Sequence, residues 1–288
     1  MKKSLLTSII LASFSLLSSQ AVLAKPTPFA FQTVKFDYKI PPKLDALCKQ
    51  RYNALPKEDR TDNEYCMRVD IDLVKTNYPF IDNVINENFV TEAEQAEMRA
   101  SFDEDAEYAY EYLQDKKNTQ FNQSDTSTLV KLVSTSPKVV QISQEGYEYG
   151  GGPHGMPSMG FYVFDLEKQK QLKVDDILVS PSKKTALEKL VFAQFKNWVK
   201  KSYVENGDKL TEQAFADYQK TWKFELNDNF YFTPQGMTFS YNPYSLGAYA
   251  IGFAILNIDK KDLKGIVKDA YLNQNFDKFD DDNWNKPE

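Results

Sequence analysis

Between Cys66 and Leu73 the chain alternates strictly: Met67, Val69, Ile71 and Leu73 are apolar, and Arg68, Asp70 and Asp72 are charged. A helix would scatter these residues around its surface, whereas a strand puts one set on each face. The segment therefore reads as a strand with one face in a core and the other in water. That pattern belongs to antiparallel sheets covered on one side.

The remaining elements extend the same picture. Phe29 to Ile40 reads as a first strand, and Pro41 to Glu64 as a charged connection punctuated by Pro56. Pro79 opens a short helix through Phe89. Thr91 and Glu94 form a capping box for a longer helix towards Lys117, whose expected buried stripe is Met98, Phe102, Ala106, Tyr108, Tyr112 and Leu113. Strands are expected at Leu129 to Ser134, Val139 to Ser143, Gly160 to Asp165 and Gln171 to Val174. Ser182 is the expected cap of an amphipathic helix ending near Gly207, and Thr211 to Trp222 forms another. Phe230 to Phe232, Met237 to Tyr241 and Ile251 to Ile258 complete the strands. Without regular βαβ alternation, the fold class is α+β, a mainly antiparallel sheet packed with several helices.

Met1 to Ala24 has the form of a secretory leader: Lys2 and Lys3, an apolar stretch from Leu5 to Leu17, then Val22-Leu23-Ala24. The stretch is shorter than the roughly 20 residues of a spanning helix. The expectation is cleavage, a periplasmic or secreted location, and no membrane attachment afterwards. Cys48 and Cys66 are the only cysteines and fit neither a C-x-x-C motif nor a zinc finger, so they are expected to form one structural disulfide. Residues 25–128 form the expected amino-terminal α+β region and 268–288 an acidic tail, in which Asp280-Asp281-Asp282 lacks the spacing of a calcium loop.

Composition narrows the chemistry. With a single histidine, a Ser-His-Asp or Cys-His enzyme would have to use His154. No metal site, cofactor or catalytic residue is assigned. A net charge of -6 argues against a nucleic-acid partner and favours encounter with a basic one.

Two segments carry the remaining information. Tyr147 to Pro157 contains Gly150, Gly151 and Gly152 followed by His154 and Gly155, a composition that marks unusual backbone angles or close approach. Tyr241 to Gly252 contains Tyr241, Tyr244 and Tyr249 on a Pro- and Gly-bearing loop, suited equally to core packing and to carbohydrate or protein contact.

Together they resemble the extracellular domain of the RsiV-type family of lysozyme-binding anti-sigma factors and their relatives. Its G-G-x-H-G turn is matched by Gly151, Gly152, His154 and Gly155, and its Y-x-x-Y-x-x-G-x-Y-A-x-G stretch by Tyr241, Tyr244, Gly247, Tyr249, Ala250 and Gly252. The resemblance spans Leu129 to Val267, giving an expected RsiV-like domain over 129–267. It implies a non-catalytic envelope protein whose partner is a lysozyme-type hydrolase or peptidoglycan, and related domains accompany peptidoglycan deacetylase modules. Anti-sigma activity is not carried over, because only Met1-Lys2-Lys3 precedes the apolar stretch. The alternatives are a structural envelope protein without a ligand and an envelope hydrolase. The expected contact residues are Gly151, Gly152, His154, Gly155, Tyr241, Tyr244 and Tyr249.

Overall fold

The alternating segment becomes strand β2, Met67–Thr76, in a computed structural model that describes residues 28–60, 64–115, 117–118, 121, 123–205 and 207–276. The leader and Asp280-Asp281-Asp282 lie outside the described residues. Strand β2 sits between β1, Phe31–Lys35, and β3, Ser124–Thr135, in a six-stranded sheet continued by β4, Val139–Tyr149, β5, Met156–Asp165, and β6, Lys170–Gln171. The order follows the chain, and every pairing is antiparallel except β2 with β3. That parallel seam requires a long crossover. It contains helices α2, Pro79–Ile85, and α3, Glu92–Gln114. Strand β3 runs through residue 128, so the sheet is continuous across the expected domain boundary.

Helix α1, Pro42–Ala54, occupies the segment read as a charged connection. It buries only Leu44, Cys48 and Tyr52, one residue per turn, and so presents almost no apolar stripe in sequence. Its Cys48 is bonded to Cys66 beside β2, with the Cα atoms 5.7 Å apart. Thr91 caps α3 with both bonds of the capping box. The buried residues of α3 are Phe102, Ala106 and Leu113. Tyr108, expected among them, is 68% exposed: two residues beyond Ala106, it points away from the buried face.

Helix α4, Val174–Ile177, stands where the β6 strand was expected to continue. Helix α5, Lys184–Glu205, starts after a 3-10 turn at Pro181–Lys183, so Ser182 lies inside that turn and is not the cap. Helix α6, Glu212–Thr221, is capped by Thr211. Strands β7, Phe230–Thr233, β8, Gly236–Tyr241, and β9, Ala254–Asp259, form a separate antiparallel sheet. Two short helices, α7, Lys260–Leu263, and α8, Asp269–Leu272, follow. The first part of the expected tail is thus packed: Tyr271 is buried and donates to Asp165 at 2.8 Å.

Alternate residues of the large sheet enter different cores. Val140, Ile142 and Phe164 pack with Ile81 and Ile85 of α2. On the opposite face, Val139, Phe161 and Val163 pack with the small sheet, whose other contacts include Leu187, Val191, Phe195 and Val199 of α5. Near the other end, Met67, Ile71 and Leu73 pack against α1 and α3. The face carrying Arg68, Asp70, Ser127, Glu145 and Tyr147 extends beyond the small sheet. There it borders an open groove of about 410 Å³, shared with Leu129 and Phe253.

Candidate functional site

The β4–β5 hairpin turns at the end of the sheet, its last ladder pair being Glu148 with Met156. Gly151 and Gly152 have φ of 95° and 104°, backbone conformations that a Cβ strongly disfavours. The Tyr149 hydroxyl closes the turn by donating to the Gly152 carbonyl at 2.9 Å. Gly155 is buried against the Tyr147 ring, and a Cβ there would lie 2.3 Å from that ring. The glycines therefore let the loop fold back and hold His154 outward.

The second loop connects β8 to β9 and is closed at its base by the Tyr241–Ala254 pair. Its first residue, Asn242, accepts from the Met159 amide of β5 at 2.9 Å, attaching this loop beside the hairpin. Asn229 continues the attachment, accepting from the Phe161 amide at 2.6 Å and donating to the Met159 carbonyl at 2.8 Å. These two amides replace a neighbouring strand along part of the β5 edge. From beneath, Tyr218 of α6 donates to the Leu246 carbonyl at 2.8 Å, and burial pushes its phenol up to about 12. Gly247 sits so close to Tyr218 and Trp198 that a Cβ would lie 2.7 Å and 2.9 Å from them.

The two loops meet at their tips. The His154 ring lies on Tyr249 with centroids 3.7 Å apart and planes at 15°. Its Nδ1 is 3.0 Å from the Gly155 carbonyl, which requires a proton on that nitrogen. The Tyr244 hydroxyl approaches Nε2 at 3.4 Å. Tyr244 is 46% exposed and has a φ of 67°, a strained backbone for a large side chain, of the kind that clusters at contact sites. Tyr244 and Tyr249 are 5.8 Å apart.

Of the seven expected contact residues, Gly151, Gly152, His154, Gly155, Tyr244 and Tyr249 come together. Tyr241 does not. It is buried on β8 and donates to the Glu225 carbonyl at 3.0 Å; burial raises its pKa well beyond the ordinary phenol range. Its place in the pattern reflects the base of the loop and not the tip. Asn229 and Asn242 are not among the expected contact residues, although Asn242 lies inside the tyrosine motif and Tyr147 opens the glycine segment.

The arrangement presents aromatic faces and edges with phenol and imidazole groups at the rim. It suits stacking on and hydrogen bonding to a ligand. Among the described residues, no group of three or more His, Cys, Asp or Glu side chains is placed to hold a metal ion. No helix among them is long and apolar enough to cross a membrane.

The chain is similar to the peptidoglycan-N-acetylmuramic acid deacetylase PdaC of Bacillus subtilis (strain 168), with 24% identity over 145 residues. The match covers 50% of this chain but only 29% of that enzyme. Two solved structures share the fold. One is a DUF3298 family protein from Pseudomonas aeruginosa PAO1, with a TM-score of 0.51, 23% identity and coverage of 85% of this chain and 95% of that one. The other is a member of the same family from Bacteroides fragilis NCTC 9343, with a TM-score of 0.55, 18% identity and coverage of 84% and 94%. Residues 175–261, from α4 through the tyrosine loop and β9 into α7, match the family described as a protein of unknown function, DUF3298.

Proposed function

We propose that this chain is a non-catalytic binding protein of the cell envelope, and that its contact surface is the pair of loops joined by the stack of His154 on Tyr249. The single observation that carries this reading is that stack: rings far apart in sequence meet at 3.7 Å, on loops held by β5, α5 and α6. Stiff aromatic side chains on a supported loop supply contact area at low entropic cost.

The glycan of peptidoglycan is the proposed ligand. Sugar rings have apolar faces that stack on tyrosine and hydroxyl rims that hydrogen-bond to groups such as those of Tyr244 and His154. The similarity to part of a peptidoglycan deacetylase supports an envelope setting, as do the Cys48–Cys66 disulfide and the leader-like amino terminus. A second reading, contact with a lysozyme-type hydrolase, is supported by the RsiV-type motifs and by the net charge of -6, which would speed encounter with a basic protein.

Calorimetric titration with soluble peptidoglycan fragments, and separately with a c-type lysozyme, tests both readings. The expected result is fragment binding that His154→Ala and Tyr249→Ala each weaken about tenfold, the scale of one lost aromatic contact at a binding surface. Fragment binding indifferent to both substitutions would remove the loops from the contact surface. Lysozyme binding with loss of lytic activity, in the absence of fragment binding, would favour the second reading.

A further inference from the structure

A separate groove lies on the opposite side of the hairpin base. Asp105, Tyr108 and Tyr112 fall on one face of α3, at spacings of three and four residues. They look across a space of about 350 Å³ at Thr126 of β3 and Glu148 of β4, which are direct cross-strand partners. Tyr149 and Gly150 close the end, so the groove shares a wall with the glycine loop that carries His154. Tyr108 is 68% exposed, so its ring is open to a ligand. Asp105 and Glu148 are also exposed, and neither forms an ion pair among the described residues. This combination is specific: aromatic faces for a ring, a hydroxyl from Thr126, and two carboxylates without an ion-pair partner among the described residues, available to a cation.

We propose that this groove binds glycan units bearing a free, protonated amine. An ammonium group on a sugar is attracted both by carboxylates and by tyrosine faces, while the ring stacks and its hydroxyls bond to the rim. An N-acetylated unit offers the same ring without the charge. De-N-acetylated envelope glycan is the ligand class with this chemistry. The inference rests on the glycan-binding reading of the chain and adds the acetylation state that it recognises.

The test is calorimetric titration of the full chain with glucosamine oligomers and with N-acetylglucosamine oligomers of equal length, at a pH where the sugar amine is protonated. The free-amine oligomer is expected to bind about tenfold more tightly, the combined effect of two partly exposed charge contacts and a cation–π contact. In the Asp105→Asn/Glu148→Gln variant the preference should vanish while affinity for the acetylated oligomer is retained. Both substitutions are at exposed positions, and an unchanged urea midpoint verifies the fold.

Equal affinities in the unsubstituted protein, or a preference that survives in the variant, would overturn the proposal. So would tetralysine binding as tightly as the amine oligomer through the same two acids, which would make the groove a site for a basic protein segment. If peptidoglycan fragments bind through His154 with no preference for the amine, this inference alone fails. If neither oligomer nor fragments bind, the glycan reading of the chain falls with it.

Discussion

The side-chain amide of Gln141 pairs with the main chain of Phe232, accepting from its N–H at 2.6 Å and donating to its carbonyl at 2.9 Å. The same nitrogen donates to the Ser134 hydroxyl at 2.7 Å. A glutamine on β4 thus behaves as a backbone unit would, joining the large sheet to the small one inside the core. Gln141→Leu should leave both Phe232 groups buried without a partner and destabilise the protein by roughly 3 kcal/mol. A urea midpoint that falls at unchanged slope would verify it, and a change under 1 kcal/mol would mean the sheets are joined by apolar contact alone.

Gly155→Ala places a methyl group where the Tyr147 ring already lies. The loop must shift, carrying His154 off Tyr249. Weakened ligand binding and a stability loss of about 1–3 kcal/mol are expected, on the scale of overpacking. Because the obstacle is a side chain, Tyr147→Ala in the same molecule should recover part of the stability, and a double-mutant cycle reads the coupling. Strict additivity would show that the two positions do not interact.

Replacing Cys48 and Cys66 with serine opens a link between residues 18 apart. A loop of that size is worth about 3 kcal/mol in the chain-entropy description. Denaturation of the serine variant beside the oxidised protein measures it, and a reduced midpoint with retained circular dichroism is the expected outcome.

Asp165 gives the protein an acid-sensitive point. Burial alone would raise its pKa, but the Lys168 amide, the Tyr271 hydroxyl and the charges of Lys138 and Lys168 outweigh that effect and hold it below the ordinary value. A carboxyl depressed in the folded state stabilises at pH above its unfolded pKa of about 3.9, and that contribution is lost as pH falls through the folded value. Stability should therefore decline below about pH 4, and Asp165→Asn should be less stable at neutral pH with a flatter acid limb. Parallel acid limbs in the two proteins would remove Asp165 from the effect.

Much of the fold could be read from local pattern because local pattern caused it. The alternation at Met67 to Leu73 set a strand, and Thr91 with Glu94 set a helix start. Helix α1 is not legible in the sequence because one buried residue per turn, with a cysteine among the three, makes little contrast against Lys, Asp and Arg. Pro42 at its first turn and the regular spacing of Leu44, Cys48 and Tyr52 were the available signals. In the site, the two motifs named the correct loops, yet nothing local could bring His154 to Tyr249. That meeting depends on Asn242 and Asn229 binding the β5 edge, a tertiary relationship. Tyr241 misled for the converse reason: a motif records fold and contact residues in the same letters.

The parallel seam between β2 and β3 has a bearing on how the molecule assembles. A chain made from its amino terminus completes β2 well before β3 exists, because α2 and α3 must come first. Until then one edge of β2 has no strand to pair with, and such an edge invites pairing with other chains. Arg68 and Asp70 put charge on one face of that strand, the kind of feature that disfavours pairing with another chain.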